Sequence, residues 1–158
     1  MILIAYDGSA DAQAAIDRAG ELLRGQPATV LTVWERFLDV LTRAGAGMPI
    51  GTVDYDRLDR EYAAQAHHRA EEGAQRAKRV GLKAQARTSV RENSIAETIL
   101  LEAEEVGASA IVLGTRGLTG LKSLLLGSVS HAVLQHADRP VIVVPSPEVA
   151  TERAAHWR

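Results

Sequence analysis

The sequence predicts an α/β domain, a parallel β-sheet with helices on both faces. Its first support is alternation. Short runs of strand length at residues 2–6, 29–33, 83–90, 110–113 and 141–144 are separated by segments whose apolar residues recur at helical spacing. A β-α-β-α-β-α-β-α-β order implies crossover connections that cover both faces of the sheet and run right-handed. The second support is size. With 158 residues, 46% hydrophobic and 24% charged, the chain can bury the core of one domain.

Each element has a local reason. Residues 2–6 are apolar up to Tyr6 and are followed by Asp7. Ser9 suits a helix N-cap, and Ala12, Ala15, Ile16, Ala19, Leu22 and Leu23 then share one face before Gly25. Residues 29–33 are largely β-branched and follow Pro27, as a buried strand would. Residues 38–55 hold Gly45, Gly47, Pro49 and Gly51 without a steady period, so a long loop is expected there. Residues 56–80 carry Leu58, Tyr62, Ala66 and Ala70 at helical steps and end at Gly81.

Residues 83–90 alternate only weakly, through Ala84, Ala86, Thr88 and Val90, which suits an edge strand. Asn93 or Ser94 caps a helix bearing Ile95, Ile99, Leu100 and Ala103, stopped by Gly107. The strand 110–113 and a helix through Val129, Ala132, Val133 and Ala137 follow, and the strand 141–144 closes the sheet. Residues 146–158 are rich in Ala, Glu and Arg with no long apolar strip, so a frayed tail is expected.

Composition excludes several classes. A net charge of −2 argues against nucleic-acid binding, which draws on a basic excess. No cysteine means no disulfide and no thiolate chemistry, which fits a reducing compartment. The apolar start is short and lacks a basic leader, and no apolar run reaches the ~18 residues of a membrane span. A cytoplasmic protein, away from membranes, is the expectation. His67 and His68 are adjacent on a helix, His131 and His136 are five apart, and neither pair has metal-ligand spacing. No nucleophile elbow or acid–base pair is apparent, so catalytic residues are expected to be none.

The informative stretch is Gly114-Thr115-Arg116-Gly117, followed after nine residues by Gly127-Ser128-Val129-Ser130. Before it stands the apolar strand, after it a helix. Glycines let a ligand approach the backbone, and a helix N-terminus offers unpaired N–H groups and a partial positive charge. These are the requirements for holding a phosphate. A Walker A loop is excluded, because Leu121 separates Gly120 from Lys122. The G-x-G-x-x-G dinucleotide fingerprint is absent as well, since Asp7-Gly8-Ser9 carries one glycine.

The spacing G-x2-G-x9-G-S resembles the nucleotide-binding signature of the universal stress protein family. The resemblance extends to the opening strand ending in Asp7 and to Arg139-Pro140-Val141-Ile142-Val143-Val144-Pro145, covering residues 1–145. It implies a Rossmann-like five-stranded sheet in the order 3-2-1-4-5, with the crevice between the first and fourth strands. It also implies ATP as ligand, with Mg²⁺ as companion, and a regulator or sensor rather than a turnover enzyme. Slow ATP hydrolysis or autophosphorylation, and a module for AMP or a cyclic nucleotide, are the alternatives. A homodimer through the strand 141–144 is implied too.

By the same resemblance the main chains of Ala5, Val33 and Leu113 line the pocket, with Val33 meeting the adenine. Asp7 matches the family's nucleotide-contacting Asp, although an Asp there also suits capping of the next turn. Gly114, Gly117, Gly127, Ser128, Val129 and Ser130 would supply space and N–H groups to the phosphates. Arg116 either reaches a phosphate or is solvated, and Lys122 is expected to face solvent.

Overall fold

A computed structural model describes residues 1–45, 53–117 and 126–156. The strands are β1 (Ile2–Ala5), β2 (Pro27–Trp34), β3 (Lys83–Val90), β4 (Ala110–Gly114) and β5 (Val141–Val144). They form one parallel sheet in the order β3-β2-β1-β4-β5. The helices are α1 (Ala10–Leu22), α2 (Phe37–Arg43), α3 (Tyr55–Arg79), α4 (Ile95–Glu105), α5 (Ser128–His136) and α6 (Pro147–Ala155).

Strand alternation sorts the core into two layers. Ile2 and Ile4 of β1 face a cluster with Ala12, Ala15 and Ile16 of α1 and Ala74 and Ala77 of α3. Leu3, between them, faces the opposite cluster with Ile99 and Ala103 of α4 and Val133 of α5. The central register pairs Ile4 with Val30 on one side and Val112 on the other. Such a strand, buried on both faces, has to be apolar throughout, as the sequence of β1 is.

Small residues set how closely α3 lies on the sheet. A Cβ placed on Gly73 would sit 2.8 Å from both the Tyr6 ring and Val30 Cγ1. The expected caps are present as well: the Ser9 hydroxyl accepts from Ala12 N and the Ser94 hydroxyl from Glu97 N.

Two expectations need correction. Within residues 38–55 the chain forms α2, where a loop was expected. Two turns are too short to display a period, and tertiary contacts hold them. Phe37 N–H donates to the Asp59 carboxylate at 2.8 Å, and the Phe37 ring lies 6.2 Å from the ring of Tyr55 and 6.0 Å from that of Tyr62. Gly47, Pro49 and Gly51 lie outside the described residues. The tail also has more structure than its composition suggests. α6 begins with Ser146 as N-cap and Pro147 in the first turn, and Val149 is buried. One apolar residue per turn is enough to seat its start.

Candidate functional site

β1 connects through α1 to β2 on one side, whereas β4 lies on its other side, reached by way of β3 and α4. The chain direction therefore diverges above the carboxyl ends of β1 and β4, where open α/β sheets hold ligands. A cleft of about 790 Å³ opens there. Every residue named from the sequence lines it: Ala5, Asp7, Val33, Leu113, Gly114, Arg116, Gly117, Gly127, Ser128, Val129 and Ser130. Lys122 lies outside the described residues.

The floor and one wall are apolar, built from Leu31 and Val33 of β2, Leu113 of β4, and Ile95 and Ile99 of α4. The start of α5 also lines the cleft. Gly127 is its N-cap and no side chain caps the helix. The first N–H groups of a helix have no partner within it, so the cleft meets the positive end of α5. The turn before it is tied down by Thr115 O, which accepts from Gly127 N at 2.7 Å and from the Ser130 hydroxyl at 2.8 Å. Ser130 thus spends its hydroxyl on the loop itself and leaves its backbone to the cleft.

The glycines work by close approach, since none of Gly114, Gly117 and Gly127 adopts positive φ. A Cβ on Gly114 would lie 2.7 Å from the backbone of Asp11 and 2.9 Å from Ala12 N. Its missing side chain therefore admits the start of α1. A Cβ on Gly117 would lie 2.6 Å from Asp7 Oδ2. Here the space is shared with a carboxylate at the edge of the cleft.

Asp7 combines two roles. Its Oδ1 accepts from Ser9 N at 2.9 Å, the turn-capping bond, while Oδ2 faces Gly117. Asp11, one turn further on, was not singled out in the sequence. It is 6% exposed, accepts from the Thr115 hydroxyl and from Arg116 N at 3.0 Å, and lies 3.9 Å from Arg116 Nε. Arg116 is accordingly drawn inward, its side chain 15% exposed, and is not simply solvated.

Other lining residues were also missed, among them Tyr6, Trp34, Glu35, Tyr62, Gln65 and Arg69. The Tyr6 hydroxyl donates to Glu72 Oε1 at 2.7 Å. Burial, reinforced by that bond, pushes the phenol up to about 12. Glu35 accepts from Arg43 Nη1 at 2.7 Å and from Arg91 Nη1 at 2.6 Å. The Arg43 bond first, and Arg91 after it, hold its carboxyl below the usual range. An i+4 pattern on a helix says which residues share a face, but not that residues 62–69 of α3 line a cleft. That is why Tyr62, Gln65 and Arg69 carried no signal.

Comparison with known proteins decides the lineage. The universal stress protein family model matches residues 1–145. The chain belongs to the universal stress protein family. The universal stress protein YxiE of Bacillus subtilis is 34% identical over 146 residues, covering 90% of this chain and 97% of that protein. Among solved structures, that of protein MJ0577 of Methanocaldococcus jannaschii superposes with a TM-score of 0.73 at 25% identity, covering 91% of this chain and 94% of the other. A universal stress protein from Archaeoglobus fulgidus in complex with dAMP has a TM-score of 0.59 and 25% identity, covering 90% and 95%. The Rossmann-like sheet of the family is the one observed. Among the described residues no group of His, Cys, Asp or Glu is arranged to hold a metal ion, and no helix is long and apolar enough to cross a membrane.

Proposed function

We infer that the cleft binds an adenine nucleotide and that ATP is its ligand in a cytoplasmic stress-response regulator or sensor. One observation carries the reading. The uncapped start of α5, the Gly117 approach and Asp7 meet at the topological switch point, with an apolar wall reaching to Val33. The wall suits a flat base, the Val33 main chain its edge, Asp7 the ribose hydroxyls, and the helix start the phosphates. Mg²⁺ would arrive bound to those phosphates, since this ion keeps several waters and needs few protein ligands. The free edge of β5 suits pairing with a second copy.

The dAMP complex of the Archaeoglobus protein favours a second reading, in which a monophosphate is the resident ligand. Mass spectrometry of small molecules released from the denatured protein distinguishes the two. Calorimetry on nucleotide-free protein is expected to show stoichiometric ATP binding near micromolar affinity, about −8 kcal/mol. Absence of heat and of any thermal shift with ATP, ADP and AMP overturns the reading.

A further inference from the structure

We propose that Arg69 of α3 is a specificity-determining residue that favours nucleoside di- and triphosphates over monophosphates. The inference rests on the nucleotide reading of the cleft and adds the group that recognises the outer phosphates.

The charged side chains lining the cleft among the described residues are Asp7, Glu35, Arg69 and Arg116. Two of these are committed elsewhere. Glu35 holds Arg43 and Arg91, and Arg116 is drawn toward Asp11. Among the described residues that line the cleft, Arg69 is the cation that makes no hydrogen bond and no ion pair with another described residue.

Its placement follows from the backbone beside it. Gly8 sits at φ +85°, and a Cβ there would lie 3.5 Å from Arg69 Cδ and from Nε. The arginine stem is therefore laid along the Asp7–Gly8–Ser9 turn, within van der Waals reach of it. Arg69 reaches this turn from α3, whereas Gly117 reaches it from the loop after β4.

The chemistry then separates the phosphates. The first can be met by the N–H groups at the start of α5, whose field falls off within one turn. A second and third phosphate add negative charge beyond that reach, where a cation is needed. A planar guanidinium can donate two parallel hydrogen bonds to one phosphoryl group.

The test compares AMP, ADP and ATP on Arg69→Gln and the unaltered protein by titration calorimetry with Mg²⁺, with melting temperatures as the folding control. ATP and ADP affinities should fall about tenfold to a hundredfold, as loss of a charge-assisted bond requires, while AMP stays within about twofold. Arg69→Lys, which keeps the charge but loses the fork, should recover part of the ATP affinity. Equal loss for all three ligands, or no loss for any, overturns the proposal and leaves nucleotide binding intact. An unaltered protein that binds none of the three overturns both.

Discussion

The Asp11 carboxylate, in the first turn of α1, accepts the hydroxyl hydrogen bond of Thr115, the residue directly after β4. Both are buried, at 6% and 1% exposure. This contact ties together the exits of the two strands between which the cleft opens. Removing the acceptor leaves the Thr115 hydroxyl and Arg116 N–H without their partner. Asp11→Ala should therefore lower stability by about 1–3 kcal/mol and weaken nucleotide affinity as well. Urea unfolding and calorimetry on the same variant measure the two effects, and unchanged unfolding would show that the contact is dispensable.

Gly114 and Gly117 should separate fold from ligand. At Gly114 a methyl group meets the backbone of α1, which cannot yield locally. Gly114→Ala is expected to cost about 1–3 kcal/mol of stability through overpacking. At Gly117 the obstacle is the end of the Asp7 side chain, which can swing aside. Gly117→Ala should leave the melting temperature nearly unchanged and weaken ATP. Gly117→Glu, which adds a negative charge beside an anion, should abolish ATP binding in a protein that remains folded. Unchanged ATP affinity in Gly117→Glu would mean that this glycine serves the turn alone.

The β5 edge yields a clean test of assembly. Pro140 O and Val144 O accept from Ile111 N and Thr115 N, so these alternate positions face β4. By the two-residue period of a strand, Val141 and Val143 turn their N–H and C=O groups to the free edge. A two-fold pair would join there. The unaltered protein should run as a dimer in light scattering at tens of micromolar. Val143→Pro removes an outward donor only and should give a folded monomer. A monomeric parent protein rules out this edge as an interface.

Acid should loosen the attachment of α2. The Glu35 carboxyl is lowered from its ordinary value of 4.5, with the Arg43 bond as the largest cause. A depressed carboxyl contributes stability that is fully present above the ordinary value and is lost as pH falls through the lowered one. Arg43 is about half exposed, so the contribution is screened to about 1 kcal/mol or less. Glu35→Gln should destabilise near neutral pH and have no effect at the acid end of the window. A pH-independent difference between the two proteins would contradict the assignment.

Much of this architecture was legible because it rests on short-range rules. The strands are apolar runs, Ser9 and Ser94 cap helices from their own sequence neighbourhood, and the glycine turn carries its strand and helix beside it. What escaped depends on contacts distant in the chain. Asp11 and Thr115 are 104 residues apart, and neither looks unusual alone. The α2 helix is held by rings from α3 and by Glu35, and its own sequence shows no stripe. Gly114 had a visible reason to be small, but that reason lay in α1.

The close seating of α3 has a consequence for how such proteins diverge. Its buried residues, Ala66, Ala70, Gly73, Ala74 and Ala77, form one stripe along the helix, while Tyr62, Gln65 and Arg69 line the cleft from positions beside it. Selection can therefore act on the two sets of positions separately. A mutation at Gln65 or Arg69 changes what the cleft admits at little risk to folding, whereas one at Gly73 is purged because a single methyl collides with Tyr6 and Val30. Ligand preference becomes a heritable variable on an inherited frame, and descendants of one ancestor can part ways in chemistry long before they part ways in shape.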